Sequence, residues 1–305
     1  MMTLKRLLSI RSLIRPLIRP LCLALLPVLG AAAAGLATGL ANAASIAMVS
    51  DLQGKAALVS GTRAPLTLLA DLEPGAQVEL DANARLVALY LDGSGEYAFK
   101  GPALIAFRAQ QPEVLKGAPA EKRSMLGGKA GKDVRIKSVG VVQGAMVMRS
   151  AGPRARIRLV NPSGTRTLES RPEFRWQAEQ PGLAYRFELS DDTGRTLYET
   201  EVTGTSLKLP ASVALSENVA YTWTVSARFP DARKYSSTGD FSIAPARTRQ
   251  EVEALRPATN AAFSDRVAYA AWLEQSELKD EARTYWRALS TERPGDARLE
   301  ALSRE

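Results

Sequence analysis

Short apolar runs separated by turn residues recur in this chain from residue 46 to residue 243, and this pattern constrains its fold most. In the first part the runs cover residues 46–49, 55–59, 66–69, 84–91, 97–99 and 104–107. Pro74 and Gly75, and the sequence Asp-Gly-Ser-Gly at 92–95, lie between runs and favour tight turns. Strands this short and evenly spaced predict a small β domain over residues 44–150.

The turns of this part resemble those of the FecR-type periplasmic domain. The resemblance is carried by Gly54 at the start of a strand, by residues 72–78 and by the hairpin sequence at 84–94. It covers roughly residues 50–150 and departs from the family pattern at Ala70, where glycine is usual. The resemblance implies a sensing or scaffolding role in the periplasm.

Residues 116–133 interrupt the β pattern with four glycines and five basic residues. We predict a flexible basic loop here. The strict alternation at 134–139, followed by apolar runs at 141–142 and 146–148, indicates that the chain then returns to the first domain. The basic residues are explained either by attraction to an anionic envelope surface or by the solubility that an exposed loop needs.

Residues 154–246 predict a second β domain, because aromatic and apolar residues recur there with a period of two. The runs cover residues 156–160, 173–177, 184–190, 196–201, 206–209, 220–228 and 239–243. Seven such runs resemble an immunoglobulin-like or fibronectin-III-like sandwich. Leu215 followed by Tyr221 resembles the tyrosine corner of these domains, which implies a hydrogen bond between the phenol and nearby backbone.

From residue 247 to residue 305 the apolar residues take a helical spacing. Ser264 and Ser276 are the predicted N-caps of two helices, with Phe263 before the first. The second helix is predicted over 278–291 and ends before Pro294 and Gly295.

This helix pair resembles a single tetratricopeptide hairpin, from which Arg266 and Leu289 depart. One such pair is too small to be stable alone, so we expect it to dock on the neighbouring sandwich, with a further helix near 251–256. The predicted fold class is therefore mainly β, with two consecutive small β domains and a C-terminal α-helical hairpin.

Four aromatic residues of the helical tail are the candidate binding residues of this chain: Tyr269, Trp272, Tyr285 and Trp286. Two helices can bury only some of these rings in their mutual interface. The remaining rings either cover the sandwich or line a partner groove.

The N-terminus has the pattern of a secretory signal. Five basic residues precede an apolar run at 21–40, and small residues at 41 and 43 predict cleavage after Ala43. An uncleaved membrane anchor is the alternative. Cleavage removes five basic residues and lowers the formal net charge from +8 to +3, which does not indicate nucleic-acid binding. We expect a periplasmic protein without a stable membrane span after cleavage.

The chain contains no histidine, and its single cysteine, Cys22, lies in the predicted signal. Triads of the Ser-His-Asp or Cys-His kind, and zinc sites with nitrogen or sulfur ligands, therefore cannot be built in the mature chain. Carboxylate chemistry remains open, because acidic residues are plentiful, among them Glu96 and Glu113. We predict no cofactor and no metal.

The sequence therefore predicts a non-catalytic exported envelope protein that binds, senses or scaffolds. Its expected partner is an envelope protein or glycan. The alternative is a carboxylate-dependent enzyme, or an accessory module, that acts on an envelope polysaccharide.

Overall fold

The computed structural model describes residues 44–129, 135–137 and 156–304. Within these residues eighteen strands precede four α-helices, and the strands form four sheets. The predicted fold class, mainly β with a helical end, is confirmed. The predicted signal at 1–43 and the predicted runs at 141–142 and 146–148 lie outside the described residues.

The first β module (residues 44–129) contains ten strands in two five-stranded sheets. The strands are β1 Ala47–Gln53, β2 Ala56–Leu58, β3 Ala64–Pro65, β4 Asp71–Leu72, β5 Gln77–Leu80, β6 Arg85–Tyr90, β7 Gly95–Lys100, β8 Ala103–Phe107, β9 Pro112–Lys116 and β10 Glu121–Arg123. The sheet orders are β10-β7-β6-β1-β4 and β3-β2-β5-β8-β9. The strand predicted at 66–69 is wrong, because a turn forms there with Leu69 at a φ of 59°.

Strands β1 and β6 are buried on both faces. Ala47 and Tyr90 lie opposite each other in the ladder and contribute to the core between the two sheets. Met48 and Leu89 form the next pair, point to the other face and belong to a core shared with the C-terminal helices. Because successive side chains of a strand point to opposite faces, burial of both faces requires a second layer over this sheet.

The sandwich module (residues 156–244) contains eight strands in two sheets. They are β11 Ile157–Asn161, β12 Thr165–Thr167, β13 Glu173–Ala178, β14 Tyr185–Asp191, β15 Thr196–Val202, β16 Ser206–Lys208, β17 Ala220–Arg228 and β18 Lys234–Ile243. The sheet orders are β11-β13-β16 and β12-β18-β17-β14-β15. Strand β12, which pairs in parallel with β18, was not predicted.

The core of the sandwich module is aromatic. Phe174 meets Phe187, Trp223 and Phe241 edge to face, with ring centroids 5.0–5.4 Å apart. The indole of Trp223 donates to the carbonyl of Pro162 at 2.7 Å, so its polar atom is satisfied inside the core. The backbone N–H of Ser216 donates to the phenol oxygen of Tyr221 at 2.7 Å, as the resemblance to a tyrosine corner implied.

The helical module (residues 246–304) consists of α1 Ala246–Leu255, α2 Phe263–Gln275, α3 Lys279–Glu292 and α4 Ala297–Arg304. Residues 267–273 of α2 are all buried, as expected of a helix covered on every side. The predicted hairpin corresponds to α2 and α3, and α4 is an additional helix. Its start is capped by Asp296, whose carboxylate accepts from the N–H groups of Arg298 and Leu299.

Both predicted N-caps are wrong: α2 has no side-chain cap, and a residue of the sandwich module caps α3. Ser264 lies inside the first turn of α2, and its hydroxyl donates to Glu96 of β7. Ser276 ends α2, and the first N–H of α3, at Lys279, donates instead to the hydroxyl of Thr165 in the sandwich module at 3.1 Å. The sandwich thus supplies an acceptor that the local sequence of α3 does not.

The helical module docks mainly on the first β module, whereas docking on the neighbouring sandwich was expected. Its side chains form one core with those of β1, β6 and the short 3-10 helix Met125–Gly128. Arg293 fixes this junction. Its guanidinium donates to the Asp51 carboxylate at 2.5 Å and to the carbonyl of Leu52 at 3.1 Å, and lies 3.6 Å from the ring centroid of Phe263.

The predicted flexible loop at 116–133 is ordered over its described part. Residues 121–123 form β10, and Met125 and Leu126 are buried beneath the helices. Residues 130–133 lie outside the described part. Local composition predicted a loop, but the apolar pair is covered by a helix that lies more than a hundred residues later in the chain.

Candidate functional site

The four predicted groove residues lie in the helical module, where all four belong to or pack against one hydrophobic core. Tyr269, Trp272 and Trp286 are buried, and Tyr285 is partly buried. Tyr269 stacks on Trp272 and meets Tyr285 edge to face, with ring centroids 5.9 and 4.9 Å apart. The Tyr269 hydroxyl donates to the carbonyl of Val252 at 2.9 Å. The rings therefore pack against the chain itself, and a partner groove here stays a prediction.

A buried polar cluster lies where α2 meets the first β module. Glu96 on β7 and Arg123 on β10 form a cross-strand pair, with Nη2 3.2 Å from Oε2. The Ser264 hydroxyl donates to the same carboxylate oxygen at 3.2 Å. Glu96 is only 1% exposed, and its other oxygen has no hydrogen-bond partner among the described residues. We call Glu96, Arg123, Ser264 and Asp265 the Glu96 cluster.

Burial, with a smaller contribution from the neighbouring Asp265 carboxylate, raises the pKa of Glu96 to about 7, although the Arg123 guanidinium opposes this rise. Burial also raises the pKa of Asp265, which accepts a hydrogen bond from the backbone N–H of Gly127. The cluster can therefore hold a proton near neutral pH. Because α2 covers the carboxylate, this proton lies at the interface between α2 and the first β module.

A cleft of about 760 Å³ lies between the sandwich module and helices α3 and α4. Most of its charged lining is basic: Arg158, Lys279, Arg283, Arg287 and Arg304, against the single acid Glu274. The rest of the lining is Leu159, Val160, Ser163, Gly164 and Leu302. We call this the basic cleft. Its volume is in the range of sites that enclose a ligand of several functional groups.

One wall of the basic cleft is a cationic stripe on α3. Lys279, Arg283 and Arg287 follow one another at four-residue spacing and so share a helix face. Like charges at this spacing destabilise a helix by about 0.2–0.5 kcal/mol per pair. An ion pair with Asp280 offsets the positive charge of Arg283. The Lys279 ammonium has no hydrogen-bond or ion-pair partner in the described part of the chain.

The opposite wall is strand β11, the outer strand of its three-stranded sheet. Arg158, Leu159 and Val160 are consecutive, and all three line the cleft. Strand β11 pairs with β13 on one side only, so the backbone groups of its other edge are unpaired within the sheet, and Val160 lies at a bulge between Leu159 and Asn161. Val160 is 36% exposed, which is high for a large apolar side chain of this chain.

Sequence reasoning missed both the basic cleft and the partners of Glu96. The four-residue spacing of the cations on α3 is a local sequence pattern that could have predicted one wall of the cleft. The other wall comes from β11, more than a hundred residues earlier, and no sequence pattern links them. Glu96 was singled out only as one acid among several, since its burial depends on α2.

Within residues 44–129, 135–137 and 156–304, no helix is long and apolar enough to cross a membrane. The same residues contain no group of three or more acidic, histidine or cysteine side chains that could hold a metal ion.

No protein-family model matches this chain, and no curated protein matches it. Among solved structures, the chain is similar to PorZ of Porphyromonas gingivalis, described as an essential bacterial surface component of the type IX secretion system. The similarity covers 61% of this chain at 13% sequence identity, with a TM-score of 0.21. It spans 26% of the PorZ chain.

Proposed function

We propose that this chain is a non-catalytic exported envelope protein that binds or scaffolds a partner through its two β modules. One observation carries the proposal: the helical module is tied to both β modules and leaves an open basic cleft at the junction with the sandwich. Arg293 ties it to β1, and the hydroxyl of Thr165 receives the first N–H of α3. The signal-like segment at 1–43 supports export.

The environment of the most perturbed acid supports a non-catalytic role. A raised pKa near neutrality suits a general acid, and Glu96 has one. A general acid must also reach a substrate, however, and Glu96 is buried with one oxygen shared by Arg123 and Ser264. The alternative is a carboxylate-dependent enzyme or accessory module acting on an envelope polysaccharide; if Glu96 were its catalytic acid, the interface between α2 and the first β module would have to open.

Capture from an envelope extract tests the binding function. The purified chain is immobilised beside an unrelated protein of equal net charge, and retained proteins and glycans are identified by mass spectrometry. We expect a partner that is retained by the chain and not by the control. Equal retention by both would defeat the proposal.

Incubation with envelope polysaccharide tests the alternative. New reducing ends that form with the wild-type chain and disappear in Glu96→Gln would show catalysis and overturn the non-catalytic assignment. N-terminal sequencing of the chain from an envelope fraction tests export, and Ala44 is the expected first residue.

A further inference from the structure

The basic cleft offers cations that are available to a ligand. Lys279 has no partner among the described residues, and Arg304 pairs only with Glu300 on its own helix, where both side chains are exposed. An exposed ion pair contributes little, so a ligand carboxylate can replace it at small cost. Arg287 is exposed; its guanidinium donates through Nε to the carbonyl of Ser303, and its terminal nitrogens have no hydrogen-bond partner in the described part of the chain. The ligand must therefore carry several negative charges.

The edge of β11 adds a second requirement. An edge strand presents N–H and C=O groups that an extended peptide can pair with, and clusters of arginine are a recurring means of recognising acidic peptides. A ligand that bound both walls would place regularly spaced acidic groups on the cations of α3. Its extended backbone would carry amide donors that pair with the edge of β11.

The apolar part of the lining narrows the ligand class. Val160 and Leu302 provide aliphatic contacts, and none of the lining residues is aromatic. Single-stranded nucleic acids are bound through base stacking on aromatic rings, which this cleft does not supply. Alternating acidic and aliphatic side chains would match the cations of α3 and the exposed Val160.

From these features we infer that the basic cleft binds an extended acidic peptide segment of a partner protein, which adds to the edge of β11 and places its carboxylates on α3. The inference rests on the proposed binding function and names the partner's chemistry.

Fluorescence anisotropy with a labelled peptide of alternating Glu and Val, about ten residues long, tests the inference. We expect saturable binding that weakens from about 50 to about 200 mM NaCl, and no binding of the matching Lys-Val peptide. The paired variant Lys279→Gln with Arg287→Gln should bind about tenfold more weakly. Lys100→Gln with Arg171→Gln changes charge equally at exposed residues outside the cleft and should bind like the wild type.

A second readout tests the strand edge apart from the charge. N-methylation of alternate peptide residues removes amide donors from one edge, so one of the two methylation registers should weaken binding and the other should not. Equal binding of the parent and both methylated peptides overturns strand addition. Tighter binding of alginate, an anionic polysaccharide, or of single-stranded DNA would assign the cleft to another ligand class and overturn the inference.

These outcomes separate the inference from the proposed function. If an envelope partner is captured equally by the wild type and the Lys279-Arg287 variant, the cleft assignment fails and the binding function stands. If the peptide binds in the cleft and no envelope partner is captured, the cleft assignment stands and the proposed function fails.

Discussion

Replacement of Glu96 by glutamine should stabilise the protein in a pH-dependent way. The carboxylate is buried, and its pKa rises from 4.5 to about 7 on folding because burial and the Asp265 carboxylate disfavour its charge. Between these two pH values the folded chain holds a proton that the unfolded chain has lost. The free energy of unfolding therefore falls as the pH rises from about 4.5 to about 7, and the loss persists above that range.

The size of the effect follows from the pKa change. A rise from 4.5 to about 7 corresponds to a loss of about 3 kcal/mol above pH 7. Glutamine resembles the protonated acid in shape, and its amide oxygen can still accept from Ser264 and Arg123. The Arg123 side chain is 29% exposed, so water can solvate the charge that loses its partner. We expect Glu96→Gln to be about 2–3 kcal/mol more stable than the wild type at about pH 8 and within about 1 kcal/mol of it at about pH 4.5.

Urea denaturation followed by tryptophan fluorescence measures this difference at both pH values. Other partly buried acids, among them Asp280 and Glu281, also have raised pKa values and contribute to the pH dependence of both proteins, so only the difference between variant and wild type reports on Glu96. The control Glu113→Gln alters an exposed acid of the same module and should change stability by less than about 0.5 kcal/mol at either pH.

The reasoning is refuted if the stability difference between Glu96→Gln and the wild type is the same at both pH values. It is also refuted if the variant is the less stable protein at about pH 8. Either result would show that Arg123 holds Glu96 charged against the cost of burial.

The remaining predictions concern packing and are checked by the same urea titrations. Gly101→Ala should lose at least about 3 kcal/mol, because the added Cβ would lie 1.9 Å from a backbone oxygen, whereas Gly204→Ala, with nothing within 4 Å, should change stability by less than about 1 kcal/mol. Arg293→Ala should cost about 2–3 kcal/mol by removing the contacts of the helical module with β1, while the exposed pair lost in Arg63→Ala should cost less than about 1 kcal/mol. Trp286→Ala should cost about 3–5 kcal/mol, since its ring is fully buried; a cost below about 1 kcal/mol would show that the helical core is loosely packed.

Local patterns predicted the strands of the sandwich module well. The run at 220–228 became β17 Ala220–Arg228 with the same ends, because alternation and turn residues both act over a few neighbouring positions. Strand β12 was missed because only three residues form it and its pairing with β18 is a long-range contact. The spans of α2 and α3 were approximately predicted for the same reason as the strands, whereas α4 was not predicted.

The sequence by itself determined the mainly β class, the change to helices after residue 246 and the lack of imidazole and of a thiol after residue 22. Periodicity and composition carry that information within short windows. Only the tertiary structure decided that α2 covers β1 and β6, that Ser264 donates a hydrogen bond to Glu96 and that β11 and α3 form one basic cleft. Each of these joins residues more than a hundred positions apart, where burial and charge depend on packing and no local pattern records the partner.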